Sequence, residues 1–143
     1  MRKPARALAN LGLLYQQQGR YQQAADHHQQ AITLFREIGD QDGEARALNT
    51  AGETLRATGR PSHARTQHAA ALALASQIGD QYEQARAHDG LAHTHHATGN
   101  PSQARQHWHH ALTLYTDLTV PDADTVRTHL AALEHTASPD SDK

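Results

Sequence analysis

The chain has no cysteine, one methionine, one phenylalanine and one tryptophan, and aromatics make up only 4% of its 143 residues. Without thiols there are no disulfides and no thiolate metal sites. Without aromatic bulk, a core must come from alanine and leucine, and alanine buries little area per residue. Charge of either sign is also in short supply. A formal net charge of −2 with histidine neutral lacks the basic surface that nonspecific nucleic-acid binding needs, so no direct nucleic-acid partner is expected. No stretch approaches the roughly 18 apolar residues of a membrane span. The basic start Met1-Arg2-Lys3-Pro4 is followed by an amphipathic segment interrupted at Asn10 and Gln16, unlike a signal peptide. The expectation is a soluble cytoplasmic protein with no membrane partner. Phosphate-binding glycine loops, His-Glu-x-x-His and nucleophile-elbow motifs are missing as well, so no enzyme is expected.

What is present is repetition. Ala5-Arg6-Ala7 returns as Ala45-Arg46-Ala47 and as Ala85-Arg86-Ala87, a period of 40 residues. Gly19, Ala24, Ala31 and Leu34 recur as Gly59, Ala64, Ala71 and Leu74, then as Gly99, Ala104, Ala111 and Leu114. A fixed period of this length marks a solenoid, whose units bury their apolar faces against one another. Each unit reads as two helices. Ala7, Leu8, Leu11, Leu14 and Tyr15 form one helical stripe, which Gly19 stops. Ala24, His28, Ala31, Phe35 and Ile38 form the next, which Gly39 ends, and Asp40 is placed to cap the helix that follows. Pro61 and Pro101 open the later second helices at the first helical position. The third unit ends differently, at Leu118-Thr119-Val120-Pro121-Asp122, and Val126, Leu130 and Leu133 then predict a terminal capping helix. The units are expected at about 5–38, 45–78 and 85–118, and the capping helix at about 121–136. Residues 137–143 are expected to be a disordered tail.

The pattern Leu8…Leu11-Gly12…Tyr15…Gly19…Ala24…His28…Ala31 resembles the tetratricopeptide (TPR) repeat. Leu48…Ala51-Gly52…Leu55…Ala64…His68…Ala71 and His88…Leu91-Ala92…His95…Ala104…Trp108…Ala111 match it with substitutions. The 40-residue period, with Ile-Gly-Asp at 38–40 and 78–80, resembles the long-helix variant of cell-polarity adaptors and the TPR arrays of actinobacterial transcriptional regulators. The resemblance implies an all-α, right-handed α-solenoid of three helix hairpins plus the capping helix, with the first helices lining a concave groove. On that groove it places Arg6, Arg46 and Arg86 as a ladder. Beside them come Asn10, Leu13 and Gln16, then Asn49, Glu53 and Arg56, then Asp89, His93 and His96. Guanidinium forks suit carboxylates, and asparagines suit an extended backbone, so an acidic peptide or protein segment is the implied guest. Internal pairing is the competing role, because Asp42 precedes Arg46 by four residues and Glu83 precedes Arg86 by three.

Thirteen histidines are the second abundance. His28 and His68 fall on the core stripe where the third unit has Trp108 and are expected to pack. His93 with His96, and His107 with His110, have a spacing that suits two imidazole ligands, but no third ligand is fixed by spacing, so no metal or cofactor is expected. Buried neutral histidines predict a loss of stability between pH 7 and about 5. The leading functional expectation is a groove-binding interaction module. The alternative is a regulatory, self-associating TPR domain of an actinobacterial transcriptional regulator. An uncovered first-helix face at Leu8, Leu11 and Tyr15 would allow a homodimer, or mark missing upstream sequence.

Overall fold

The computed structural model describes residues 2–137; Ser138–Lys143, and with them most of the expected tail, lie outside the described residues. Seven helices follow one another, with no strand among the described residues: α1 (Arg2–Gln17), α2 (Tyr21–Ile38), α3 (Gln41–Ala57), α4 (Pro61–Ile78), α5 (Gln81–Ala97), α6 (Pro101–Leu118) and α7 (Asp122–Ala137). Each helix packs on the next, and α1, α3 and α5 also touch across successive hairpins. The result is the expected all-α solenoid.

The period is written into the helix ends. Gly39 and Gly79 take φ of 75° and 74°, a left-handed conformation that costs glycine little. Asp40 and Asp80 then cap α3 and α5, accepting from the Gly43 and Glu83 backbone N–H groups at 3.0 Å. After α6 the same left-handed turn falls on Thr119, with φ 57°.

The core is small-residue packing with bulk at both ends. Ala24, Ala31, Ala64, Ala71, Ala104 and Ala111 are all fully buried. Ile32 and Phe35 fill the first junction; Trp108, Tyr115, Val126, Leu130 and Leu133 fill the last. Between them, the interior of α4 is alanine and a histidine. His28 and His68 lie in the core, 1% and 0% exposed. His68 sits between Gly52 on α3 and Gly90 on α5, where an added Cβ would collide with its ring. No described helix is long and apolar enough to cross a membrane.

Candidate functional site

The three repeat arginines occupy equivalent positions but three different environments. Arg6 is exposed and, with Asn10, Leu13, Arg46 and Thr50, lines a narrow cavity between α1 and α3. Arg46 is also exposed. Its only ion pair among the described residues is with Asp42, at 3.3 Å, and both side chains are more than half exposed, so that pair contributes little. Arg86 is held inside. Its Nη1 donates to Glu83 Oε1 at 3.0 Å and its Nη2 pairs with Glu53 Oε2 at 3.0 Å and reaches Thr50 Oγ1 at 3.3 Å. Burial alone would lower its pKa, but Glu53 and Glu83 more than reverse that and hold it above the usual arginine value. For Arg46 and Arg86 the internal pairing is thus formed; only for Arg86 is it buried.

Two expected groove residues are placed elsewhere. Asn49 is fully buried. Its Nδ2 donates to the Glu83 backbone carbonyl and to Glu83 Oε1, both at 3.0 Å, and its Oδ1 faces His68 Nδ1 at 2.9 Å. Gln16 turns inward, where its Oε1 accepts from Thr54 Oγ1 at 2.7 Å and lies 3.3 Å from His28 Nε2. The family resemblance implies a groove position for both, but neighbouring helices cover that edge.

The Asn49 contacts also fix the protonation of His68. With the amide donors on Glu83, its oxygen must accept, so His68 Nδ1 carries the proton and the ring is neutral. His68 Nε2 is then a buried acceptor without a partner among the described residues. Burial, with Arg56 and Arg86 nearby, lowers the His68 pKa to about 3. Burial and His27 lower that of His28 to about 4. The Arg56 pKa is lowered by burial against the pull of Glu53 and Asp89, and its Nε is buried and unpartnered among the described residues.

Toward the C-terminal end, Asp89 and His93 stand one turn apart on α5, with Asp89 Oδ1 3.3 Å from His93 Nε2. Trp108 Nε1 donates to the same oxygen at 2.9 Å. Burial would raise the Asp89 carboxyl, but His93, Trp108 and His129 outweigh it and keep the group below its ordinary value. His96 is exposed and lines the same cleft as His93 and His129. Sequence reasoning missed Glu83 as the hub of the middle junction, and missed His129. The signal was in the period: positions 49, 89 and 129 are equivalent, as are 68 and 108.

The comparisons with known proteins fit this architecture. The Tetratricopeptide repeat family model matches residues 4–77, just over half of the chain. No curated protein matches it. Among solved structures, apo RapI superposes with a TM-score of 0.89 at 15% identity, covering 94% of this chain and 50% of that one. BtubC from P. vanneervenii gives 0.82 at 18% identity, covering 93% and 56%. A Rap protein complexed with Competence and Sporulation Factor gives 0.85 at 16% identity, covering 92% and 37%. The chain therefore spans about half the length, or less, of these structures, and at such identities the likeness is one of fold. Period, hairpins, buried small residues and the family match converge: the chain belongs to the tetratricopeptide repeat family.

Proposed function

We propose that the chain is a protein–protein interaction module that takes an acidic peptide or protein segment, and that its work is binding rather than catalysis. The observation that carries this reading is the exposed pair Arg6 and Arg46. The two line one cavity with Asn10 and Leu13, and among the described residues neither makes an ion pair with a buried acid, although Asp40 and Asp80 lie in the field of Arg46. Glu53, Arg56, Asp89 and His93 are secondary contacts in this reading, since Glu53 is already paired with Arg86 and Asp89 with His93 and Trp108. The Rap protein complexed with Competence and Sporulation Factor, a structure of the same fold, lends this reading support. Arg86 and Asn49 serve by positioning: they hold α5 against α3 and leave the outer face to Arg6 and Arg46.

The test is a titration of a fluorescent glutamate-rich peptide into the wild-type chain and an Arg6→Ala/Arg46→Ala variant. The expected result is saturable binding that weakens with salt and drops at least ~10-fold in the variant. Binding that is absent in wild type, or equal in both proteins, overturns the acidic-segment reading. Arg86 is left out of this variant, since removing it would strand the buried Glu83 carboxylate and release Glu53.

A second reading, a regulatory domain that self-associates, is favoured by one feature of α1. Leu11, Leu13 and Leu14 are 41%, 42% and 48% exposed. The residues 40 and 80 positions after Leu11 and Leu14 are Ala51, Thr54, Leu91 and Thr94, all 8% exposed or less. Such an apolar patch is an association surface. Sedimentation should then show a concentration-dependent dimer that Leu11→Glu/Leu14→Glu abolishes; a monomer at all concentrations excludes it.

A further inference from the structure

The junction of the third hairpin with α7 brings three metal-ligating side chains together. Asp89 and His93 come from α5 and His129 from α7, and one ligand atom of each lies within 4.8 Å of the others. The His93 and His129 rings meet edge to face, with centroids 4.7 Å apart. All three residues are half-buried. Metal bonds of about 2.0–2.2 Å require ligand atoms within roughly 4 Å of one another, a distance that small side-chain rotations reach.

Three observations distinguish this cluster from a chance meeting of polar groups. Trp108 Nε1 donates to Asp89 Oδ1 and its ring stacks on His129, at 15° and 5.2 Å between centroids, so both a carboxylate and an imidazole are oriented from outside. Outer contacts of this kind fix metal ligands in place. Next, the position that holds Arg86 one junction earlier is here Val126, fully buried, so α7 brings no guanidinium to the acid. Arg56 on α3 adds its field but makes no ion pair with Asp89 among the described residues. Last, the histidines border a cleft lined by His96, Ala132 and Leu133, which gives an ion a way in. The other histidine group contrasts with this one. His88 stacks on His110, and His95 on His107, and although His88 Nδ1 and His107 Nδ1 approach to 3.0 Å, no third ligand atom joins that pair among the described residues.

We propose that Asp89, His93 and His129 bind one divalent transition-metal ion of the zinc class, which ties α7 to the third hairpin and keeps a coordination position open to the cleft. Two imidazoles and one carboxylate suit zinc, cobalt, nickel or copper rather than calcium or magnesium, which take oxygen ligands. This inference goes beyond the groove reading, since neither Arg6 nor Arg46 takes part in it.

The experiment titrates zinc chloride into the untagged full chain by calorimetry. In parallel, copper(II) is titrated against the fluorescence of Trp108, the chain's single tryptophan. The expected result is one ion per chain at micromolar or tighter affinity, quenching of Trp108, and a zinc-dependent rise in melting temperature. His129→Ala and Asp89→Asn should each weaken binding at least ~100-fold, above the loss typical of outer-shell substitutions. Asp89→Asn retains an oxygen for Trp108, so it reports on ligation even if His129→Ala loosens α7. A His107→Ala/His110→Ala variant should bind as wild type does. Binding that survives both ligand substitutions, or that is lost in the His107/His110 variant, is an adventitious ion only and overturns the proposal. So does the lack of saturable binding to wild type.

Discussion

The middle and last junctions of the solenoid occupy the same places in the repeat and are built from opposite materials. In the middle junction, Asn49, His68, Glu83 and Arg86 form a largely buried polar network, with Glu53 at its open edge, around an imidazole held between two glycines. In the last, the equivalent positions hold Asp89, Trp108, His93, Ala123 and Val126, and most of the bulk is apolar. One contact survives the exchange. The hydrogen bond from His68 Nδ1 to Asn49 Oδ1 and that from Trp108 Nε1 to Asp89 Oδ1 are both 2.9 Å long. A repeat can thus conserve a geometry, a ring donor meeting a side-chain oxygen, while the chemistry around it changes from ionic to hydrophobic.

The comparison can be broken at its polar side. Arg86→Ala leaves the buried Glu83 without its cation, and the partly exposed Glu53 with it, and should cost about 3 kcal/mol, most of it from Glu83, read from urea denaturation. An effect below about 1 kcal/mol would mean that the network is dispensable.

Acid should discriminate between the junctions next. His68 and His28 have folded pKa values of about 3 and about 4, below the unfolded 6.5, so protons bind the unfolded chain preferentially. Their contribution is whole above about pH 7, falls away as pH drops through 6.5, and is exhausted below the folded values. Together they should remove on the order of 3 kcal/mol between pH 7 and 5. Thermal melts across that range check this, and His68→Gln should flatten the profile. Around His68 the charged groups are Arg56, Arg86, Asp89 and His93, and the nearby cations reinforce the shift.

Close packing gives a smaller effect. Gly90→Ala drives a Cβ into the His68 ring and should cost about 1–3 kcal/mol, whereas Leu130 holds the equivalent position beside Trp108 without conflict. The smallest expected effect is a gain. Thr119 holds the left-handed turn that Gly39 and Gly79 hold elsewhere, so Thr119→Gly should stabilise by about 0.5–1 kcal/mol. An unchanged melting temperature would show that the turn carries no strain.

The helix ends and capping aspartates were legible in the sequence because they rest on contacts within about one turn of helix, and the period and the burial of His28 and His68 because apolar residues repeat at helical spacing around them. The fate of the arginines was not. Arg46 and Arg86 are one period apart, yet only Arg86 meets Glu53 and Glu83. The residues one period earlier, which would face Arg46, are Leu13 and Gly43. Local sequence sets which face a side chain leaves from, and the neighbouring hairpin sets what it finds there. Asn49 was misplaced for the same reason, since α4 and α5 cover the edge on which it lies.

By itself, then, the sequence determined the family, the hairpins and their ends, through periodicities and propensities that act along a few residues. The tertiary structure decided which equivalent residues became buried partners, which stayed exposed, and that Asp89, His93 and His129 share one place. The physical reason is separation along the chain. Those side chains span 40 residues and two helices, and their convergence depends on how α7 packs against α6, which no local pattern encodes.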